Sequence, residues 1–217
     1  MRTLIRDDRY FTRLAAAFVQ GKLGHFPSHL SPDEIIEAGL ANGLRLHKFK
    51  RNAELPRVRK VLGILQGLRP NSLLDIGSGR GTFLWPLLDL FPHLNVTAVD
   101  FNPVRVADIN CVRAGGIFNL QALQMDANHL DLKDDYADVV TALEVFEHLS
   151  SPARAAAEAV RVARKFVVAS VPSMEDENPE HIQLFDKQGF ESLLLSAGAR
   201  SVKIDYILNH MIAVARV

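Results

Sequence analysis

Leu73-Leu74-Asp75-Ile76-Gly77-Ser78-Gly79-Arg80-Gly81 decides how the rest of the chain is read. A short apolar run breaks into three alternating glycines, and an apolar stretch from Phe83 to Leu90 follows. That is a strand entering a tight turn before a helix, with no side chains on the glycines to hold a ligand off the backbone. Outward from it, further apolar runs stand at Asn95–Val99, Asn119–Met125, Ala137–Leu143 and Phe166–Val171. Helical stretches at about 81–90, 103–114 and 151–163 separate them, and parallel strands need such crossovers. The end differs. After a helix at about 187–197, Ser201–Leu208 and Met211–Val217 are split only by Asn209-His210, a hairpin signal. The fold class expected is α/β: a doubly wound, mostly parallel seven-stranded sheet with a terminal antiparallel hairpin.

Before residue 70 the pattern is helical. Phe11, Leu14, Ala15 and Phe18 recur at helical spacing over residues 8–20. Ser31-Pro32-Asp33-Glu34 starts a second helix, expected to stop near Asn42-Gly43. A third runs from about Glu54 to Gly67, with Val58, Val61, Leu62 and Leu65 on one face. The division expected is residues 1–53 as a helical lid over the carboxyl ends of the strands, and 54–217 as the ligand-binding domain.

The 217 residues carry 25 Lys+Arg and 25 Asp+Glu, but unevenly. Residues 1–70 hold 13 basic and 6 acidic residues, leaving 12 and 19 for the rest. The densest basic stretch runs from Arg45 to Lys60 and suits either phosphates or the acidic remainder of the chain. The single cysteine, Cys111, excludes an internal disulfide framework and a cysteine-based zinc site. No apolar run is long enough to span a membrane, and the first residues lack the pattern of a secretory signal. A cytoplasmic location is expected.

Three details narrow the ligand. The dinucleotide fingerprint G-x-G-x-x-G would need glycine where Thr82 stands. The second strand ends in Asp100, which can accept both hydroxyls of a ribose. The third ends in Met125-Asp126-Ala127, whose carboxylate suits an adenine amino group. All fall at carboxyl ends of parallel strands, where open α/β sheets bind ligands.

In order and spacing, Leu73–Gly81, Val96–Asp100, Gln124–Ala127 and Asp138–His148 resemble the class I S-adenosylmethionine (SAM)-dependent methyltransferases. The resemblance covers about residues 54–217. It implies SAM as cofactor, with Asp75 among its binding residues and the turn of Gly77, Ser78, Gly79 and Gly81 against its methionine part. It places Asp100 on the ribose, Phe101 flanking the adenine and Asp126 and Ala127 at its edge, with Leu143 and Glu144 lining the sulfonium side.

Methyl transfer is an in-line displacement, and a weak nucleophile also needs a base or a metal. Glu144-Val145-Phe146-Glu147-His148 supplies both types of group. If it forms a helical turn, residues 144, 147 and 148 project on one side. His148 and Glu147 are the candidate catalytic pair. Glu144, Glu147, His148 and the later His181 are candidate ligands for a divalent cation such as Mg²⁺ or Mn²⁺. Glu-x-x-Glu-His followed by a histidine resembles Hen1-type RNA 2′-O-methyltransferases, and the same pentad resembles quinone-biosynthesis O-methyltransferases. A small-molecule acceptor is the favoured partner and RNA the alternative. A non-catalytic SAM-binding module is a third reading, opposed by the intact glycines and acids.

Overall fold

The computed structural model describes residues 10–51, 55–174 and 178–217. The first residues of the expected opening helix, Glu54 at the expected domain boundary and residues 175–177 of the loop before His181 lie outside these. The sheet has seven strands: β1 (Ser72–Ile76), β2 (Asn95–Asp100), β3 (Leu120–Gln124), β4 (Ala137–Leu143), β5 (Ala163–Pro172), β6 (Ser201–Ile207) and β7 (His210–Arg216). Their order is β3-β2-β1-β4-β5-β7-β6. The first five are parallel, and β7 runs antiparallel between β5 and β6. The expected sheet and hairpin are both present. Strand order reverses between β1 and β4, and the crevice at such a reversal is where open α/β sheets hold ligands.

Helices cover both faces. α3 (Pro56–Leu68), α4 (Leu84–Leu90) and α5 (Pro103–Ala114) lie on one side. α6 (Pro152–Val162) and α7 (Lys187–Ser196) lie on the other. The central strands are buried on both faces, as Leu73, Leu74, Val139 and Val140 show at 0–1% exposure. Asn102 caps α5 by accepting from the backbone N–H groups of Val104 and Arg105.

The amino-terminal helices α1 (Thr12–Leu23) and α2 (Pro32–Ala41) are seated differently from the expected lid. Ser31 and Glu34 form the reciprocal capping box that starts α2. The six residues Leu14–Val19 of α1 are all buried, so this helix needs partners around most of its circumference. It finds them in α5, α2 and α4, and becomes an outer layer on the helical face instead of a cover over the strand tips. Glycines permit the close approach. A methyl at Gly21 would overlap the Cys111 carbonyl, and one at Gly115 would overlap the Ala17 carbonyl. The segment after α2, with the 3₁₀ turn His47–Phe49, reaches toward the strand-tip edge, where it and Phe18 of α1 line one cavity. Of its basic residues, Lys48, Arg51 and Lys60 pair with Asp108, Asp89 and Asp205. Three of the seven basic residues from Arg45 to Lys60 are therefore docked on the acidic remainder of the chain.

Candidate active site

A cleft of about 710 Å³ opens over the β1/β4 reversal, and its wall includes Gly77, Gly79, Asp100, Phe101, Asp126 and Glu144. The turn after β1 forms its floor. Gly77, Gly79 and Gly81 all take left-handed backbone angles, with φ of 72, 57 and 87°. The N–H groups of Gly77 and Ser78 donate to the Val99 carbonyl at 2.7 and 3.2 Å, tying the turn to β2. A Cβ on Gly77 would stand 2.6 Å from Val145 Cγ2. The turn therefore excludes side chains on steric as well as conformational grounds. Ser78 is buried and turns its hydroxyl back to the Asp75 carbonyl, 3.1 Å away. Gly81 packs under Trp85, whose indole N–H donates to the Arg80 carbonyl at 2.9 Å. The helix expected from residue 81 begins only at Leu84, because this packed turn comes first.

Asp75 lies beneath the cleft and not in its wall. Its Oδ1 accepts the Thr141 hydroxyl at 2.7 Å, and its Oδ2 is buried without a hydrogen-bond partner among the described residues. Burial, with a smaller push from the Asp100 charge, raises its carboxyl to about 6. A folded pKa above the unfolded value of 3.8 means that stability is present below about pH 4 and lost as pH rises through about 6. Asp75→Asn should therefore be more stable than wild type at pH 7.5 by up to about 3 kcal/mol, taking 1.36 kcal/mol per unit. Urea midpoints at pH 4.5 and 7.5 check this. A gap between the two proteins that does not widen with pH would refute the buried-carboxyl account.

Asp100 is 3% exposed and faces the cleft at the end of β2. Its Oδ2 accepts the Gly79 N–H at 2.8 Å, and its Oδ1 accepts the Asn102 N–H at 2.9 Å. An ionised carboxylate has about four acceptor sites. One backbone bond to each oxygen fixes the group and still leaves room for two ligand hydroxyls. Phe101, 71% exposed, presents an aromatic face beside it. Asp126 Oδ1 takes both the backbone N–H and the side-chain amide of Asn128, at 2.8 and 3.0 Å. This loop brings Asp126 and Ala127 to the same wall. Leu143 does not reach it and packs instead into the core on the α3–α5 side.

The 144–148 segment departs from the expected helical turn. Glu144 has a left-handed φ of 57°, and only Phe146–His148 forms a 3₁₀ turn. Residues 144, 147 and 148 therefore share no single helical face, and the structure divides the candidate ligands. Glu147, His148 and His181 come together with ligand atoms within 4.8 Å of one another. Glu144 does not join them. It accepts the Ser170 hydroxyl at 2.7 Å and lies 3.0 Å from His210 Nε2. Burial pushes the Glu144 carboxyl up, but His210, Ser170 and the Arg57 charge outweigh it and hold the group below its usual range.

His210, at the hairpin turn, is a functional candidate that sequence reasoning missed, since Asn209-His210 carries only a turn signal. Its Nε2 faces a carboxylate and so holds a proton. His148 is oriented similarly, with Nδ1 2.8 Å from the Glu180 carbonyl. A carbonyl only accepts, so Nδ1 carries the proton and a neutral ring keeps its lone pair on Nε2. Glu147 is fully buried with His181 Nε2 at 4.0 Å, and the Ile182 N–H bonds the Glu147 carbonyl at 3.0 Å. Gln183 donates to the carbonyls of Phe146 and Leu149 at 3.0 and 2.6 Å, clamping the loop onto this turn. One carboxylate and two imidazoles fit a divalent transition ion better than Mg²⁺, which favours an oxygen-rich shell.

A doubly wound sheet of this order, with a glycine turn and carboxylates on successive strand tips, defines the class I SAM-dependent methyltransferase fold. The comparisons agree. Residues 74–167 match the family described as methyltransferase domain. A malonyl-[acyl-carrier protein] O-methyltransferase of Geobacter sulfurreducens is 35% identical over 109 residues, which is 48% of this chain and 40% of that protein. A SAM-dependent methyltransferase structure from Aquifex aeolicus superposes with TM-score 0.62 at 24% identity, covering 75% of this chain and 90% of that one. The methyltransferase domain of a bacterial Hen1 superposes with TM-score 0.62 at 18% identity, covering 75% and 97%. These two structures share the fold. The chain spans 40–63% of the lengths of the curated relatives it matches. No helix among the described residues is long and apolar enough to cross a membrane.

Proposed function

We propose that this chain transfers a methyl group from SAM to an O, N or C nucleophile of a small-molecule acceptor. The observation that carries the reading is the single cleft wall shared by the glycine turn, Asp100, Asp126, Glu144 and His148. SAM supplies an electrophilic sulfonium methyl when bound. Asp100 holds the ribose hydroxyls, Phe101 covers the adenine, and Asp126 with Ala127 reads its edge. Glu144, fixed by Ser170 and His210, places negative charge beside the sulfonium. His148 takes the acceptor proton on Nε2. Glu147, His148 and His181 would hold a divalent cation, which would supply Lewis-acid activation of an acceptor hydroxyl. The joining of His181 to Glu147 and His148 also favours a second reading, an RNA 2′-hydroxyl as acceptor.

Calorimetry should show Asp100→Ala binding S-adenosylhomocysteine about 10- to 150-fold more weakly, the ~1.5–3 kcal/mol of hydrogen bonds to a charged group. Unchanged affinity would remove Asp100 from the cofactor site. Labelled SAM offered separately to metabolite pools and to RNA tests the acceptor class. With the acceptor so found, His148→Ala should lose turnover and keep cofactor affinity. EDTA should stop transfer if the cation mechanism holds and leave it running if His148 acts alone. Full turnover in His148→Ala would make the cluster structural.

A further inference from the structure

Arg45 takes part in none of the ion pairs above. Arg45 and His47, exposed after α2, face Arg80 of the glycine turn and Arg105 in the first turn of α5. Together they line a cavity of about 580 Å³ that the methyl-transfer reading does not use. Its wall holds one acid, Asp108, and that carboxylate is bound on both oxygens by ammonium groups, Lys22 at 3.1 Å and Lys48. Arg45 and Arg80 have no acidic partner among the described residues. Arg105 stands 3.7 Å from Asp100, beyond a hydrogen bond, and lines both this cavity and the cofactor cleft.

Three guanidinium groups from three separate elements converge here, and Arg105 alone among them faces a carboxylate, Asp100 at 3.7 Å. Guanidinium forks match the oxygens of a polyvalent tetrahedral anion, whereas a lone carboxylate satisfies one fork. We propose that this cavity is a phosphate-binding site beside the cofactor cleft, taking a phosphate monoester or diphosphate through Arg45, Arg80 and Arg105. The methyl-transfer reading supplies the site's neighbour and goes no further, since the anion is argued from the cavity's own residues. A second basic cavity, lined by Arg164, Lys165, Arg200, Lys203 and Arg216, lies at the opposite end of the sheet. There Arg164 and Lys165 already hold Asp138, at 3.0 and 3.1 Å, and no residue is shared with the cofactor cleft.

Titration calorimetry with inorganic pyrophosphate, at fixed ionic strength, with and without saturating S-adenosylhomocysteine, tests the site. Saturable binding is expected. The double variant Arg45→Gln/Arg80→Gln, both exposed positions, should weaken it by about tenfold or more while S-adenosylhomocysteine binding stays the same. Arg200→Gln/Lys203→Gln should leave pyrophosphate binding unchanged. A second arm compares glycerol phosphate with inorganic phosphate. Tighter binding of the ester assigns the phosphate to a larger molecule, and equal binding assigns it to the free ion. Either result supports the site. No pyrophosphate binding, binding indifferent to the Arg45/Arg80 variant, or loss in the Arg200/Lys203 variant overturns it. Failure of S-adenosylhomocysteine to bind would count against the cofactor reading alone.

Discussion

Gly115→Ala should cost about 3 kcal/mol or more of folding stability. At Gly115 φ is −82°, so a side chain meets no backbone strain there. The obstacle is packing: the new methyl falls on the Ala17 carbonyl of α1. Neither partner yields easily, because the atom struck is backbone and α1 is buried through Leu14–Val19. Overpacking a dense core costs about 1–3 kcal/mol and more where backbone must shift. That is a large share of a total near 5–15 kcal/mol. Gly21→Ala strikes the Cys111 carbonyl from the other side of the same interface. Because both variants are relieved by one movement of α1 away from α5, their costs should sum to less than additivity. Urea denaturation of the two single variants and the double checks this. Near-neutral Gly115→Ala would mean that α1 is not seated on α5 as described.

Gly77→Ala should abolish cofactor binding at accessible concentrations. Two costs fall on one residue. A φ of 72° is left-handed, and strain at such sites runs about 1–3 kcal/mol. The added methyl also meets Val145 Cγ2 at 2.6 Å. Val145 shares the cleft wall, so relief by moving either group closes the space a ligand needs. Val145→Ala in the same chain should recover part of the affinity, since it removes the overlap and leaves the strain. Calorimetric titration of S-adenosylhomocysteine into the three variants separates the terms. Wild-type affinity in Gly77→Ala would show that the cofactor does not lie against this turn.

The fold was legible because its signals are local. Apolar runs bounded by turn residues mark each strand, and Asn209-His210 marks the hairpin. β7 lies between β5 and β6, an order set by sheet pairing that no local run encodes. The carboxylates Asp100 and Asp126 were legible because strand tips of a parallel sheet converge by topology. Three features were not. Glu144 takes a left-handed backbone that ordinary residues seldom adopt, so a helical spacing of 144, 147 and 148 misplaces it. His210 reaches Glu144 only through the pairing of β7 with β5. α1 carries apolar residues around most of its surface, a pattern that signals burial without naming the partner. Gly21 and Gly115 then fit it to α5, and no local sequence pattern marks them as contact positions.

Every functional role proposed above requires that the strand-tip cleft hold SAM. Isothermal titration of wild-type protein with S-adenosylhomocysteine and, separately, with NAD tests it most directly. The glycine turn without a glycine at Thr82, together with Asp100 and Asp126, predicts one-site binding of S-adenosylhomocysteine and none of NAD. Binding of NAD, or of neither ligand, would contradict it.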